Sequence, residues 1–579
     1  MTRRVTRRAT RPALRAGAFA TATVLVLGAC SGGGGGSSST ASSTSGLEGE
    51  PAEGGVVQVL QNADFSYLDP AKGWDGGVNN FYRLVYRTLT TPASGSAEDP
   101  NEIVPDLATD TGTVSDDGLT WTFTLKDGLK FDNGDPITSA EVEFGVSRAW
   151  DPEIGIGSPY AKQVIDAPDD YQGPYLSGDL PTIETPDDKT IVFHLKAPFP
   201  DFPAVASQPN FAPFPVDSGA GDEFLNDIVA SGPYTLDEYT PGSVINLVRN
   251  ENWDPATDEV RTAKPDGWHF QLGLDPATID ERLLAGQGSD VNAIAGNLQP
   301  ATLARLQDPR YSDRLVDWPG VCTTYMGLNT TKKPLDDVKV RQAISYAVDK
   351  AAVQNGTGGT MLADVASTTI PASVAGHKDF DLYPSEGNTG DVEKAKALLA
   401  EAGYADGFEM TLDMRTQPKL QAQAEAVQQS LARVGIEVTF NPIDTSKFYE
   451  TIGTPKLQND AAITGWCPDW ASSASTVIPP LFDGRRITDK GNSNLGQIDD
   501  PAINSAIDDA LAITDPAAAN EAWGNLDEQV LEQAPIVPLL VEKVVLLPGE
   551  NVTGVYSSPG VATGGLDYTG VGLKDPSKG

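Results

Sequence analysis

The chain has 579 residues, 80 acidic against 41 basic side chains, a formal net charge of −39, and only three cysteines and three histidines. That balance repels nucleic acid and anionic lipid headgroups, and His194, His269 and His377 are too far apart in sequence to form an HExxH-type metal pair. A hydrophobic content of 39% still supports a folded core, and a body of this length exceeds one core and divides into two or three lobes.

At the N-terminus, Arg3, Arg4, Arg7, Arg8, Arg11 and Arg15 precede an apolar run, AGAFATATVLVLGA, with no acid before Cys30. The run is too short for a mature membrane span, and a basic flank with a short apolar core reads as a secretory signal. It ends in LGAC, Leu27 to Cys30, which resembles the lipobox of bacterial lipoproteins. The resemblance implies a signal peptide over 1–29, lipidation of Cys30 and a protein anchored outside the cytoplasm on the cell membrane. Residues 30–54 are Gly/Ser-rich and then acidic, a flexible tether whose reach is roughly 25–30 Å. No second long apolar run follows. Removing residues 1–29 takes away six arginines and no acid, so the mature body is more acidic still.

Further along, LTWTFTL places Leu119, Trp121, Phe123 and Leu125 on one side of a half-buried strand, and KDG and FDNGDP follow as turn signals. TIVFHLKAPF alternates likewise, with Ile191, Phe193 and Leu195 on one face and His194 on the other. Asp116, Asp117, Asp127, Asp132 and Asp135 sit in this turn-rich setting without EF-hand spacing and read as turn residues. DDVKVRQAISYAVDKAAV carries a helical stripe of Val340, Ile344, Ala347, Val348 and Ala351, capped by Asp336 or Asp337. DVEKAKALLAEAG predicts a helix capped by Asp391 and stopped by Gly403. A strand from Phe408 to Met414, a helix with Leu420, Ala424, Val427, Leu431 and Val434 on one stripe, the stop Gly435 and a strand from Ile436 to Phe440 form a strand–helix–strand unit. Such a unit predicts a largely parallel sheet in the C-terminal half and an α/β protein overall.

GWCPDW, Gly465 to Trp470, concentrates two of the nine tryptophans with a cysteine and an aspartate. With Cys30 assigned to lipid, Cys322 and Cys467 remain as an even pair in an oxidising compartment, which favours a disulfide. A catalytic Cys467 would need a nearby histidine base, and none is local.

Four segments, in order and spanning nearly the whole mature chain, resemble the family 5 extracytoplasmic solute-binding proteins of ABC importers, the oligopeptide/dipeptide-binding type. They are Ile103 to Trp150, Ser231 to Trp253, Cys322 to Lys350, and GWCPDW with the later APIVPLL, Ala534 to Leu540. The resemblance implies a two-lobed periplasmic-binding-protein-like α/β fold (class II, cluster C type) with an extra small domain in the first lobe. Its expected boundaries are first lobe 55–96 and 229–320, small domain 97–228, second lobe 321–540, and a return to the first lobe over 541–579. A ligand touching both lobes stabilises the closed form, and closure can report occupancy to a permease.

In that family the aspartate of a GWC-x-D segment takes the ligand's N-terminal ammonium, and the cysteine is bonded to one preceding the third segment. The resemblance therefore implies Asp469 as the ammonium partner and a Cys322–Cys467 bridge. It adds Gly465 as exposed backbone, Trp466 as a pocket wall, Tyr160 of SPYA and Tyr325 as cleft residues, and Val78 and Asn79 of GWDGGVNN as first-lobe contacts. Some members carry an arginine just before the Gly–Trp pair that meets the ligand's carboxylate; here Ile463 and Thr464 stand instead, which leaves C-terminal recognition open. The implied partners are an oligopeptide and the permease subunits, with a monomeric receptor, no nucleic acid and no cofactor. A sugar, metal chelate or other small solute on the same fold is the main alternative. A secreted hydrolase is a remote one, since no GxSxG, HExxH or P-loop pattern is present.

Overall fold

A computed structural model describes residues 47–579 except 75, 155–156, 217, 220–227, 297, 558 and 560–564. Cys30, the signal sequence and most of the tether lie outside the described residues. Among the described residues, the three largest of five sheets organise the body. In the first lobe, five strands run in the order Ala293–Ala295, Val56–Leu60, Gly267–Gln271, Val244–Arg249 and Tyr234–Thr240. Val56–Leu60 is parallel to Gly267–Gln271 and to Ala293–Ala295, and the remaining pairs are antiparallel. Val57, Val59, Ile245, Trp268 and Phe270 project from this sheet into a core shared with Val78, Phe81 and Val85 of the helix Gly76–Val85.

The small domain is built on four antiparallel strands, Thr113–Val114, Thr120–Thr124, Thr190–His194 and Ile183–Glu184. The period-2 pattern explains its core. Trp121 pairs with Phe193 and Phe123 with Ile191 on the inner face, and Phe123, Ile191 and Phe193 are fully buried. Asp117 and Asp135 are spent within their own turns, Asp117 accepting from Ser115 Oγ and Leu119 N and Asp135 from Asn133 Nδ2, whereas Asp132 accepts from Thr235 Oγ1 of the first-lobe sheet. Among the described residues no group of three or more His, Cys, Asp or Glu could hold a metal ion.

The second lobe carries six strands in the order Ala363–Val365, Ile536–Leu546, Val316–Leu328, Ala461–Trp466, Phe408–Arg415 and Ile436–Ile443. The strand–helix–strand unit forms as read, with Pro418–Ala432 as its helix and its two strands parallel. The expectation of a largely parallel sheet is corrected: only the last three strands are mutually parallel, and the other three pairs are antiparallel. The long strands Val316–Leu328, from Gly320 onward, and Ile536–Leu546 are largely buried on both faces, so their apolar runs carried no sign of direction. The single helix expected from Asp336 onward is two helices, Val338–Ala347 and Lys350–Thr357. Val348 leaves the helical region at ψ 125°, and Asp349 caps the second helix by accepting from Ala352 N.

The same two long strands tie the lobes together. Val316, Trp318, Val544 and Leu546 belong to the first-lobe core, whereas Met326, Leu328, Val537 and Leu540 belong to the second. The register between them shifts from Pro319 to Thr323, where the pair passes from one core to the other. Among the described residues no helix is long and apolar enough to cross a membrane.

Candidate ligand-binding cleft

The loop after Ala461–Trp466 is fixed at its start by the Cys322–Cys467 disulfide, whose Cα atoms are 4.2 Å apart. Hydrogen bonds to one residue, Thr476, fold it back on itself: Trp466 Nε1–H donates to the Thr476 carbonyl at 2.7 Å, and Asp469 N–H to Thr476 Oγ1 at 3.2 Å. Asp469 is thereby held by backbone and bridge rather than by its side chain, which points across to the small domain. There Tyr160 O–H donates to Asp469 Oδ2. Tyr160 opens the helix Tyr160–Val164. Its turn is seated by Gly157, where a Cβ would stand 2.7 Å from the carbonyl of Ala71, so only glycine permits this approach of the two first-lobe loops.

Trp470, one residue on, is 1% exposed and lies in the core of the small domain although its chain belongs to the second lobe. Its ring is 4.8 Å from that of Tyr160 and 6.4 Å from that of Phe199. Asp201, beside the N-terminus of the helix Phe202–Val205, lies against Ser473, Ser475 and Trp470, and its burial raises its carboxyl above the usual range; Trp470 Nε1–H donates to Ser475 Oγ at 3.3 Å. A further contact runs from Asn101 Nδ2 to the carbonyl of Ser373 at 3.2 Å. The lobes are closed on one another through these contacts.

Asp469 stands where two cavities meet. One, about 50 Å³, is lined with Asn79, Tyr82, Arg83, Tyr86, Gln208 and Arg261. The other, about 450 Å³, is lined with Trp74, Tyr160, Lys196, Phe199, Trp466 and Arg486. Because the carboxylate faces enclosed space rather than bulk water, burial pushes it up to about 6, against a lowering by the Tyr160 hydroxyl. The same burial and the neighbouring carboxylate raise the Tyr160 phenol well above its ordinary value.

Arg261 beside the small cavity is already neutralised. It donates to Asp106 at 2.8 Å and Asp258 at 3.1 Å, and Arg87 donates to Asp106 at 2.7 Å, all with almost no solvent exposure. Burial acts to raise the Asp258 carboxyl, but Arg261, Arg87 and two backbone N–H groups outweigh it and hold the group down to about 2. These ion pairs brace the first lobe.

Asp469, Tyr160 and Trp466 are brought together on the large cavity, and Asn79 joins Asp469 on the small one. The Oδ1 atom of Asn79 is buried and has no hydrogen-bond partner. Gly465 and Tyr325 line a third cavity of about 140 Å³ that shares Trp466 as a wall. Val78 is not brought to the cleft; its side chain is fully buried in the first-lobe core, which corrects the expectation of a ligand contact there. Adjacent helical residues point about 100° apart, so Val78 and Asn79 cannot share a face. Val78, Phe81 and Val85 take the core, while Asn79, Tyr82 and Arg83 take the cavity.

Sequence reasoning missed Trp74 and Arg486. Trp74 is the one aromatic ring of GWDGGVNN, is 38% exposed and sits edge-on to Tyr160 at 6.2 Å. A large exposed aromatic beside glycines was the available signal.

Residues 102–488 match the model of the bacterial extracellular solute-binding proteins, family 5. The glutathione-binding protein GsiB of Escherichia coli (strain K12) is 28% identical over 522 residues, 87% of this chain and 92% of that protein. Among solved structures, clavulanic acid biosynthesis oligopeptide binding protein 2 is 34% identical with a TM-score of 0.86, covering 92% of this chain and 99% of that one. The DppA periplasmic binding protein of Helicobacter pylori, solved with peptide STSA, has a TM-score of 0.66 at 23% identity, covering 90% and 99%, and supports the fold alone. Proteins of this family carry solutes to ABC importers and are not enzymes. The chain is a family 5 bacterial extracellular solute-binding protein.

Proposed function

We propose that the chain is a lipid-anchored receptor that captures short peptides between its lobes by their free N-terminal ammonium and delivers them to an ABC permease. The observation that carries this reading is the pairing of two acceptors on one small cavity: the braced carboxylate of Asp469 and the unpartnered Oδ1 of Asn79. An ammonium has donors for both, and a desolvated cation needs an anionic partner. Trp74, Tyr160 and Trp466 give the adjoining cavity aromatic walls that accept varied side chains. The two strands that tie the lobes, Val316–Leu328 and Ile536–Leu546, serve as the hinge. Relatives named for glutathione and for oligopeptides agree with a peptide-like cargo. The anchor is Cys30, and the tether holds the body off the membrane.

Native mass spectrometry of protein purified without denaturation tests the cargo. Retained masses that fragment as peptides are the expected result; a retained sugar or metal chelate contradicts the reading.

A further inference from the structure

The first-lobe sheet carries a second crevice, away from Asp469. Ala293–Ala295 and Gly267–Gln271 flank Val56–Leu60, and both run parallel to it. After Val56–Leu60 the chain passes to the helix Gly76–Val85, which packs on the face of Val57 and Val59. After Gly267–Gln271 it passes to the helix Pro276–Ala285, whose Ile279 and Leu283 pack with Leu60 on the other face. Where neighbouring parallel strands send their connections to opposite faces, a ligand crevice opens outside their carboxyl ends. Here that crevice is a cavity of about 380 Å³. Every residue lining it belongs to the first lobe, and none is shared with the two cavities on which Asp469 stands.

The lining sets the chemistry. No Lys, Arg or His stands on the walls to pair with an anion. The two acids are engaged by the fold. Asp64 accepts from Phe65 N at 2.8 Å, Tyr239 Oη at 2.9 Å and Gly242 N at 2.6 Å, and the buried Asp280 accepts from Gln299 N at 3.0 Å and from Thr302 Oγ1. What stays open is amide. Gln61 Oε1 is buried without a partner, and among the described residues the side chains of Asn62 and Gln299 make no hydrogen bond. An amide presents donors and an acceptor together, as a hydroxyl does, whereas an ammonium has donors alone and leaves the amide N–H groups unmatched. Phe65, half-buried with its ring 4.8 Å from that of Phe81, adds an aromatic wall. Amides around one aromatic ring suit a neutral ring that is polar at its edge and apolar on its faces.

We propose that this crevice is a second solute site, which takes an uncharged saccharide on the first lobe alone. It goes beyond the peptide reading and stands whether or not the interlobe cargo is a peptide, because no second-lobe residue and no closure is needed to complete it.

The test titrates the purified mature protein with glucose, N-acetylglucosamine and cellobiose, and with choline and spermidine as cationic probes, read by saturation-transfer NMR and calorimetry. Saturable binding of at least one saccharide is expected, unchanged by an excess of tripeptide. Gln61→Ala with Gln299→Ala should weaken it about tenfold or more, as expected for one or two lost hydrogen bonds. Gly296→Trp should abolish it by filling the cavity; a Cβ at Gly296 meets nothing within 4 Å, so the fold has room for the larger side chain. Unchanged thermal melting shows that each variant is folded. Failure of every saccharide to bind the wild-type protein overturns the inference. So does displacement by tripeptide, which places the saccharide between the lobes, and so does saccharide binding that survives in Gly296→Trp. Choline or spermidine bound in place of a saccharide, and lost in Gly296→Trp, overturns the assigned ligand class.

Discussion

Tyr160 and Asp469, 309 residues apart in sequence and on opposite lobes, share a hydrogen bond in which the phenol donates to the carboxylate. The bond occupies the group that is proposed to receive the ligand's ammonium. It gives the closed lobes a partner for a buried charge that would otherwise have none, and a ligand amine takes over that partnership by offering a full positive charge in place of a neutral donor.

Closure should depend on Trp470 more than on any other residue of the loop. It fills the small domain's core from the second lobe, and truncating a buried tryptophan costs about 3–5 kcal/mol. Trp470→Ala is expected to leave each lobe folded but open the ligand-free protein, raising its radius of gyration in small-angle scattering and weakening peptide binding. Tyr160→Phe keeps the ring contact and loses only the hydroxyl, so its opening should be smaller.

Binding should weaken in acid. The Asp469 carboxyl of the free protein lies at about 6, and pairing with an ammonium favours its ionised form, so binding below that pH releases a proton. Apparent affinity for free-amine peptides is expected to fall by about tenfold between pH 7 and pH 5, and Asp469→Asn should flatten the profile. The sign for folding is opposite to that of a salt-bridged acid. A carboxyl raised above its unfolded value favours the fold below about pH 4, and that contribution is lost as pH rises through about 6. Calorimetric titrations across this range measure the first effect.

The disulfide should matter for binding as well as stability. It closes a separation of 145 residues, worth up to about 5 kcal/mol in the chain-entropy picture, and it anchors the segment that aims Asp469. Cys322→Ser with Cys467→Ser is expected to lower the unfolding midpoint. It should also weaken free-amine peptides more than N-acetylated ones, because the loss falls on the orientation of the carboxylate.

Much of the site was legible because GWCPDW is compositionally odd and sits in a chain with few cysteines. Cys467 had one available partner, and Asp469 followed from the resemblance that the neighbouring residues carry. The small domain's strands were legible because Trp121, Phe123, Ile191 and Phe193 alternate with polar residues. Periodicity failed where both faces are buried, as in Ile536–Leu546 and the part of Val316–Leu328 from Gly320 onward, whose direction is set by pairing partners far along the chain. It could also have warned against Val78, which lies on the same helical stripe as Phe81 and Val85. That Trp470 enters the core of the opposite lobe is a fact of closure that no local pattern in GWCPDW carries. Arg486 was illegible because its neighbour Arg485 looks identical until the cavity wall is placed.

The most direct test is calorimetric titration of the wild-type protein and Asp469→Asn with matched tripeptides, free-amine and N-acetylated. Wild-type protein is predicted to prefer the free amine by about 2 kcal/mol or more, roughly thirtyfold, as expected when one partner of a buried charged pair is removed, and Asp469→Asn to lose that preference. Equal wild-type affinity for both forms, or a preference that survives in Asp469→Asn, contradicts the assignment of Asp469 to the ligand's ammonium.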